Sequence, residues 1–576
     1  MSMPSNATLL RLLPFLRWWP LLDRKTLSAD LVAGITVSLL AIPQSLAYAQ
    51  LAGVPAYYGL YAALIPTIIG ALFGSSAQLS TGPVAMTSLL TAASVSALAP
   101  AGSNAFYDYV VLLALVSGIF QVLFGLARMG MLLNFLSQPV LMGFINAAAI
   151  IISLSQFPAL VGISTRQSKH LLLDTWDVLT RMDDLHLHSL ALGGAALVML
   201  LSFRRFAPKL PGVLITVALL TWVSYAIDFA GHGGRVVGEI PRGLPSLSLP
   251  ALDLKSLVAL LPAGFVLALI SFMEAMSSCK VIAMKTRSTW DENQELLGQG
   301  LAKVASALCH SLPVSGSFSR SALNLSAKAT TGVSSLISAA FVLLTLLFFT
   351  PLLYHLPKSV LAAIIMLAVF GLIDLRSLRN AWRASRDDGV AAAVTFLATL
   401  GFAPNIQNGI LTGILLSLSL FLYRGTKPRV MTVGLHPDGT LRDARLHGLA
   451  PLAPSIGALR FDASLNFVNA AYLEEAILEL EHSKPGMRAL LLVAGGINGL
   501  DASGAELIST VTERLRQSGI VFAISSVKRQ VMAVMERTGL ADKIGRENIF
   551  PTDRAALDGL LPRFAAEANP SAGAPP

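Results

Sequence analysis

Between Asp30 and Arg424 the chain runs through a succession of apolar segments with few charges inside them, and this feature limits the fold more than any other. We read fourteen such segments, at 31–49, 55–73, 82–98, 109–127, 136–155, 188–203, 211–229, 257–278, 293–309, 316–329, 333–351, 358–373, 387–402 and 405–423. Only helices or closed barrels can cross a bilayer, because every backbone polar group there must find a partner within the protein. Segments of this length and composition are helical spans rather than barrel strands. With 54% hydrophobic and 13% charged residues over 576 positions, the chain reads as a polytopic α-helical membrane protein. No cleavable signal is apparent before Arg24, so the first span is expected to serve as the insertion signal.

Lysine and arginine set the expected orientation. Arg128, the group Arg204, Arg205 and Lys209, the group Lys280, Lys285 and Arg287, and the group Arg376, Arg379, Arg383 and Arg386 all fall in even-numbered gaps. By the positive-inside rule those gaps are cytoplasmic, and fourteen spans then return the C-terminus to the side of the N-terminus. The net charge of +9 is therefore assigned to topology, and no nucleic-acid partner is expected. Cys279 and Cys309, the two cysteines, have neither disulfide nor metal spacing and are assigned to packing.

Two segments break the pattern. The third follows Ala77 to Ala85, AQLSTGPVA, and the tenth follows Leu312 to Asn324, LPVSGSFSRSALN. Each reads as a half-helix entered through an extended strand. A helix that begins at membrane depth leaves its first N–H groups open, and an anion satisfies them and the positive end of the peptide dipole. Arg320 adds a full charge beside the second of these starts, although snorkelling or pairing with a carboxylate would also account for an arginine there. Gln44 and the start of the third segment are separated by much the same interval as Glu274 and the start of the tenth. Two halves of seven spans each would be inverted relative to one another, the arrangement of many secondary transporters.

After Lys427 the composition changes to soluble strand and helix patterns. Leu435 to Gly439 reads as a turn between short strands. Beyond it we expect strands at 458–461, 489–493 and 521–525 and helices at 470–482, 503–517 and 528–537, a small α/β domain. The boundaries expected are 1–30 for a cytoplasmic N-terminal segment, 31–424 for the membrane domain, 425–430 for a linker, 431–564 for the soluble domain and 565–576 for a disordered tail.

Pro43 to Tyr61, PQSLAYAQLAGVPAYYGLY, and Ser315 to Asn324, SGSFSRSALN, resemble the two signatures of the SulP/SLC26 anion transporters, and the soluble end resembles their STAS domain. The resemblance implies fourteen transmembrane segments in a 7+7 inverted repeat with core and gate domains of the UraA/SLC26 type, a cytoplasmic STAS domain and a homodimer. It implies an anion held between the starts of the third and tenth helices, by Gln44 and Tyr48, by Thr81, Gly82, Pro83, Val84 and Ala85, and by Ser315, Gly316, Ser317, Phe318 and Arg320. Pro83 also suits the first turn of any helix, and Gln44 and Tyr48 also suit helix packing.

The expected function is secondary transport of sulfate or a similar oxyanion across a bacterial cytoplasmic membrane by elevator-like alternating access. Bicarbonate or C4-dicarboxylate transport or exchange, or an anion channel, are the alternatives on the same scaffold. Two helix starts at about +0.5 each and Arg320 offer roughly two positive charges, which matches a divalent anion. Glu274 would cancel one of them, so it is expected either to take a proton when the anion binds or to pair with Arg320. The resemblance favours the first, since proton-coupled members carry glutamate there. Ser503, in Gly499 to Gly504, stands at the position that is phosphorylated in related STAS domains, although Asp501 or Ser503 also reads as an N-cap. A cytoplasmic partner of this domain is a further expectation. Nothing in the sequence calls for a cofactor, a metal or an enzyme: there is no His/Glu zinc spacing and no phosphate-binding Gly-Lys-Ser/Thr loop.

Overall fold

The computed structural model describes residues 13–130, 137–163, 171–207, 210–241, 243–250, 253–403 and 405–564. The expected disordered tail at 565–576 lies outside the described residues, as do the first twelve residues of the N-terminal segment. The chain forms two compact units, divided between Ser417 and Leu418.

Each of the fourteen apolar segments is helical. The first is α1, Arg24–Leu51, and the second is broken into α2, Ala56–Ala62, and α3, Ile65–Phe73. Strand β1, Ser80–Gly82, leads into α4, Ala85–Ser96, the third span. Then come α5, Asn104–Leu126, and α6, Gln138–Val161, followed by a connecting helix α7, Leu171–Thr180, and by α8, Leu187–Phe206, and α9, Gly212–Ala226. The second half opens with α10, Leu254–Thr286, and α11, Glu292–Leu308. Strand β2, Ser315–Ser317, leads into α12, Phe318–Ser326, the tenth span. The eleventh is α13, Val333–Leu344, continued through a π-helical turn at Thr345–Phe349 into α14, Thr350–Leu353. The last three are α15, Lys358–Phe370, α17, Arg386–Phe402, and α18, Ile406–Thr426.

Among the described residues, nine of these helical stretches are long and apolar enough to cross a membrane by length and composition. The third, seventh, ninth, tenth and thirteenth segments are shorter. At 1.5 Å per residue, the 12 residues of α4 and the 9 of α12 reach about 18 Å and about 14 Å, roughly half a bilayer core. Both half-helices are entered through strands, and β1 and β2 pair antiparallel, with Ser80 opposite Ser317 and Gly82 opposite Ser315. This pairing satisfies backbone groups that lipid could not.

The helices pack in two groups. In one, α11 lies against α5 and α3, α10 against α5, and α13 and α12 against α1; in the other, α6 packs with α15 and α17, and α8 with α9 and α15. The first group therefore draws on spans one to four and eight to eleven, and it contains both half-helices. Between spans twelve and thirteen the gap read from sequence as a cytoplasmic connection is a helix, α16, Leu375–Ala384. Its Arg376, Arg379 and Arg383 recur at helical spacing while Leu375, Leu378 and Trp382 form the apolar side, the signature of a helix lying in a membrane interface.

Asp30, in α1, is fully buried and holds the lead into the eleventh span. Its Oδ1 accepts from Thr330 N at 2.7 Å and Thr331 N at 3.2 Å, and its Oδ2 accepts from the Thr331 hydroxyl. A buried carboxylate is tolerated when donors saturate it, and removing it strands those donors. Asp30→Ala is therefore expected to destabilise the membrane unit by about 3 kcal/mol, read as a fall of several degrees in thermal unfolding of detergent-solubilised protein. An unchanged midpoint would mean that water replaces the carboxylate.

The second unit carries a six-stranded sheet in the order β4-β3-β5-β6-β7-β8. Its strands are β3, Val430–Leu435, β4, Leu441–Asp443, β5, Ile456–Phe461, β6, Ala489–Val493, β7, Val521–Ser525, and β8, Ile549–Phe550. β3 and β4 form an antiparallel hairpin around the turn expected at Leu435 to Gly439, although Leu435 itself pairs with Leu441 as the last residue of β3, and β5 to β8 are parallel. Alternation along the strands sorts two cores. Leu490, Leu492, Phe522 and Ile524 pack with helices at 470–483, 502–517 and 529–537, whereas Leu491, Val493 and Ala523 pack with Leu557 and Leu560 of a helix at 553–564. The last strand, that final helix and the short helices at 444–447 and 540–544 were not anticipated from sequence.

Candidate anion-binding site

The site is built where the two half-helices begin. Val84 is the N-cap of α4 in an extended conformation with no side-chain cap, and the first turn starts at Ala85. Pro83 therefore precedes the cap instead of occupying the first turn as the sequence suggested. Ser317 caps α12, its hydroxyl accepting from Arg320 N at 3.4 Å, so Ser315 and Gly316 belong to the strand and the helix starts at Phe318. Thr81, Gly82, Pro83, Val84, Ala85, Ser315, Gly316 and Ser317 are all buried, and Phe318 is 52% exposed.

Three contacts fix this strand pair. Thr67 Oγ1 donates to Thr81 O at 2.8 Å, Ser80 N donates to Ser321 Oγ at 2.9 Å, and Asn324 Nδ2 donates to Gln78 O at 3.1 Å. A Cβ added to Gly316 would lie 2.9 Å from Ala275 Cβ and from Leu79 Cδ1, so only glycine lets β2 approach α10 this closely.

Arg320 is 1% exposed, and none of its three side-chain nitrogens has a hydrogen-bond partner. Its guanidinium lies over Gly82, where an added Cβ would meet Arg320 Nη2 at 2.8 Å. Neither reading of Arg320 as a snorkelling residue or as a salt-bridge partner fits this placement. It forms no ion pair with Glu274, whose Oε2 is itself buried and unpartnered. The two groups nonetheless interact electrostatically, and Tyr48 joins them. Gln44, one turn before Tyr48 on α1, is also buried, and its Oε1 has no partner. A buried, unpaired guanidinium is costly, and a cluster of unsatisfied polar atoms around it is the signature of a place for a ligand.

Three residues escaped the sequence reading. Glu295, Gln299 and Lys303 lie four apart on α11, and all three are buried. Glu295 accepts from Ser75 N at 2.8 Å, Ser76 N at 3.0 Å and Gln299 Nε2 at 3.0 Å, and Gln299 Nε2 also donates to Thr81 Oγ1 at 2.8 Å. The stripe thus holds the approach to β1. Lys303 Nζ donates to Gln121 Oε1 at 3.0 Å and to the Ser271 hydroxyl. Polar residues at positions i, i+4 and i+8 within an otherwise apolar span were the signal available in the sequence.

In the second unit, Asp501 is the N-cap of the helix at 502–517: its Oδ1 accepts from Gly504 N at 2.8 Å and its Oδ2 from Phe467 N at 2.9 Å. Ser503 is exposed on the first turn of that helix.

Comparison with known proteins places the chain in a family. The profile of the Sulfate permease family matches residues 27–395, and that of the STAS domain matches residues 450–556. Probable sulfate transporter 4.2 of Arabidopsis thaliana is 32% identical over 541 residues, covering 90% of this chain and 79% of the relative. Probable sulfate transporter MT1781 of Mycobacterium tuberculosis is 32% identical over 546 residues, covering 94% of this chain and 96% of the relative. Among solved structures, SLC26A9 superposes with a TM-score of 0.89 at 22% identity over 96% of this chain and 93% of its own. The transmembrane domain of the cyanobacterial bicarbonate transporter BicA gives a TM-score of 0.58 at 24% identity over 69% of this chain and 98% of its own. These last two establish the shared fold. With its family profile matching residues 27–395 and one relative at 32% identity matched over 96% of its length, the chain is a multi-pass anion transporter of the Sulfate permease family with a C-terminal STAS domain.

Proposed function

We propose that the protein is a proton-coupled sulfate transporter of a bacterial cytoplasmic membrane. One observation carries this reading: a fully buried guanidinium with three unpartnered nitrogens stands where two half-helices begin. An oxyanion supplies acceptors to Arg320 and to the open amides of both helix starts at once. The relatives named as sulfate transporters point to the substrate. In this reading Gln44, Tyr48, the stretch Thr81 to Ala85, the stretch Ser315 to Phe318 and Arg320 line the site. The packing group that holds it moves as a core against the other spans, in an elevator-like alternating access. The basic gaps favour an orientation with both termini in the cytoplasm, and a homodimer is the expected assembly.

Proton coupling is assigned to Glu274. It is the carboxylate that interacts with Arg320, and its buried Oε2 has no donor, so a dianion arriving beside it favours the protonated form. Uptake of radiolabelled sulfate, bicarbonate and fumarate into proteoliposomes, with and without proton and sodium gradients, tests the reading. Sulfate uptake is expected to rise with an inward proton gradient. Glu274→Gln is expected to abolish that dependence while sulfate still binds. A variant that keeps its dependence on the gradient would remove Glu274 from coupling, and an absence of sulfate uptake with robust bicarbonate or fumarate uptake would reassign the substrate.

A further inference from the structure

We infer that Lys303 is the residue that tunes the site to a doubly charged anion. The inference rests on the anion-site reading above and deepens it. Lys303 lies on α11 with its side chain fully buried. Its two acceptors are aimed at it by their own bonds: Gln121 Nε2 donates to Ala268 O at 2.9 Å and to Ser271 Oγ at 3.1 Å, and Ser271 Oγ donates to Ala268 O at 3.2 Å. The amide oxygen of Gln121 and the lone pairs of Ser271 are therefore turned toward Nζ, an arrangement that suits an ammonium. Among the described residues no carboxylate forms an ion pair with it.

Ser271 also connects the lysine to the site. Its carbonyl accepts from Ser315 Oγ at 2.7 Å, and Ser315 sits in β2 beside the Glu274 carboxylate. Glu274 lies one turn further along α10 and is close enough to interact electrostatically with both Arg320 and Lys303. Tyr48 faces the same carboxylate from α1. The other acidic group nearby, Glu295, lies two turns back on α11 and is saturated by Ser75, Ser76 and Gln299.

Counting whole charges decides what such a site holds best. Arg320 and Lys303 contribute two positive charges and ionised Glu274 one negative. A dianion together with a proton on Glu274 balances these charged side chains, and the two helix starts add about +0.5 each on the positive side, so the buried site favours the more highly charged anion. Without Lys303 the site loses one positive charge, a loss that costs a dianion twice what it costs a monoanion. Lys303 thus acts through the field at the site, as a specificity-determining and positioning residue, without touching the anion.

The test uses full-length protein in nanodiscs, with binding of radiolabelled sulfate and its competition by nitrate. Coulomb energy is linear in ligand charge, so Lys303→Gln is expected to weaken sulfate by the square of its effect on nitrate, about tenfold against about threefold. Lys303→Arg is expected to keep the wild-type ratio. Equal losses for both anions, or no loss for either, would overturn the inference. Should Lys303→Gln not yield monodisperse protein, the double variant Glu274→Gln/Lys303→Gln removes both charges together; it is expected to fold and to lose preference for sulfate over nitrate, and a wild-type ratio in it overturns the inference. Wild-type protein that binds neither anion overturns the site itself, whereas a wild type that binds with an unchanged ratio in the variants overturns only the role of Lys303.

Discussion

Replacing Arg320 by methionine is expected to weaken sulfate binding at least a hundredfold while leaving the empty protein as stable as the wild type or more so. The two effects have one origin. The guanidinium is buried and none of its three nitrogens finds a partner within the protein, so its removal from the unliganded protein relieves a cost and leaves an apolar stem of similar volume. In the occupied site it makes two or more charge-assisted hydrogen bonds, each contributing about 1.5–3 kcal/mol, and their loss totals about 3–6 kcal/mol. That corresponds to a hundredfold or more in dissociation constant. Thermal unfolding with and without sulfate reads both effects. At a hundredfold excess over the dissociation constant a ligand stabilises its protein by about 2.7 kcal/mol, so the wild-type midpoint rises with sulfate and that of the variant does not. A variant whose midpoint still rises with sulfate by the wild-type amount would take Arg320 out of the site.

The same residue shows why part of the site was legible in the sequence. A lone arginine flanked by small residues in apolar surroundings has few physical explanations, and the strand-then-half-helix pattern at AQLSTGPVA and SGSFSR limits them further. All fourteen spans were visible because a membrane allows only one kind of long apolar segment. What sequence did not disclose is pairing: that Ser80 and Ser317 share a ladder, or that the Arg320 guanidinium crosses to Gly82. The first residue of each half-helix was misplaced by a few positions, because strand pairing claims Ser315 and Gly316 that capping alone would have assigned to the helix. The register at a helix start depends on its tertiary partner, which local propensity does not contain.

Glu295 and Lys303 were overlooked for a related reason. Their segment, ENQELLGQGLAKVASAL, is one of the more polar spans around the site, and its mean composition conceals that Glu295, Gln299 and Lys303 fall on one face. In a soluble helix such a face meets water. Here it meets the approach to β1 on one side and the back of Glu274 on the other, so the stripe supports the site from behind. Similarly, α16 was read as a charged connection, since the arginines that mark an interface helix also mark a cytoplasmic gap.

Glu295→Ala is expected to be the most damaging single substitution in the membrane unit. The carboxylate is fully buried and accepts from two consecutive backbone amides, Ser75 N and Ser76 N, as well as from the side chains of Ser75 and Gln299. Truncation strands those amides at the end of α3, where neither lipid nor a neighbouring side chain replaces the acceptor, and costs about 3–5 kcal/mol. That is a large share of the 5–15 kcal/mol typical of a folded domain, so the variant is expected to aggregate or to be recovered in low yield. Glu295→Gln keeps the volume and one acceptor oxygen, and it is expected to fold with a lowered unfolding midpoint. Because Gln299 links Glu295 to Thr81 in β1, the loosening falls on the strand that presents the first half-helix to the anion. Sulfate affinity of Glu295→Gln is therefore expected to drop by about tenfold, on the order of the 1.4 kcal/mol that one weakened buried hydrogen bond represents, with its dependence on the proton gradient intact. Recovery of Glu295→Ala as monodisperse protein with a wild-type midpoint would show that the stripe on α11 is not what holds β1, and that the Thr67, Ser321 and Asn324 contacts stabilise the strand pair without it.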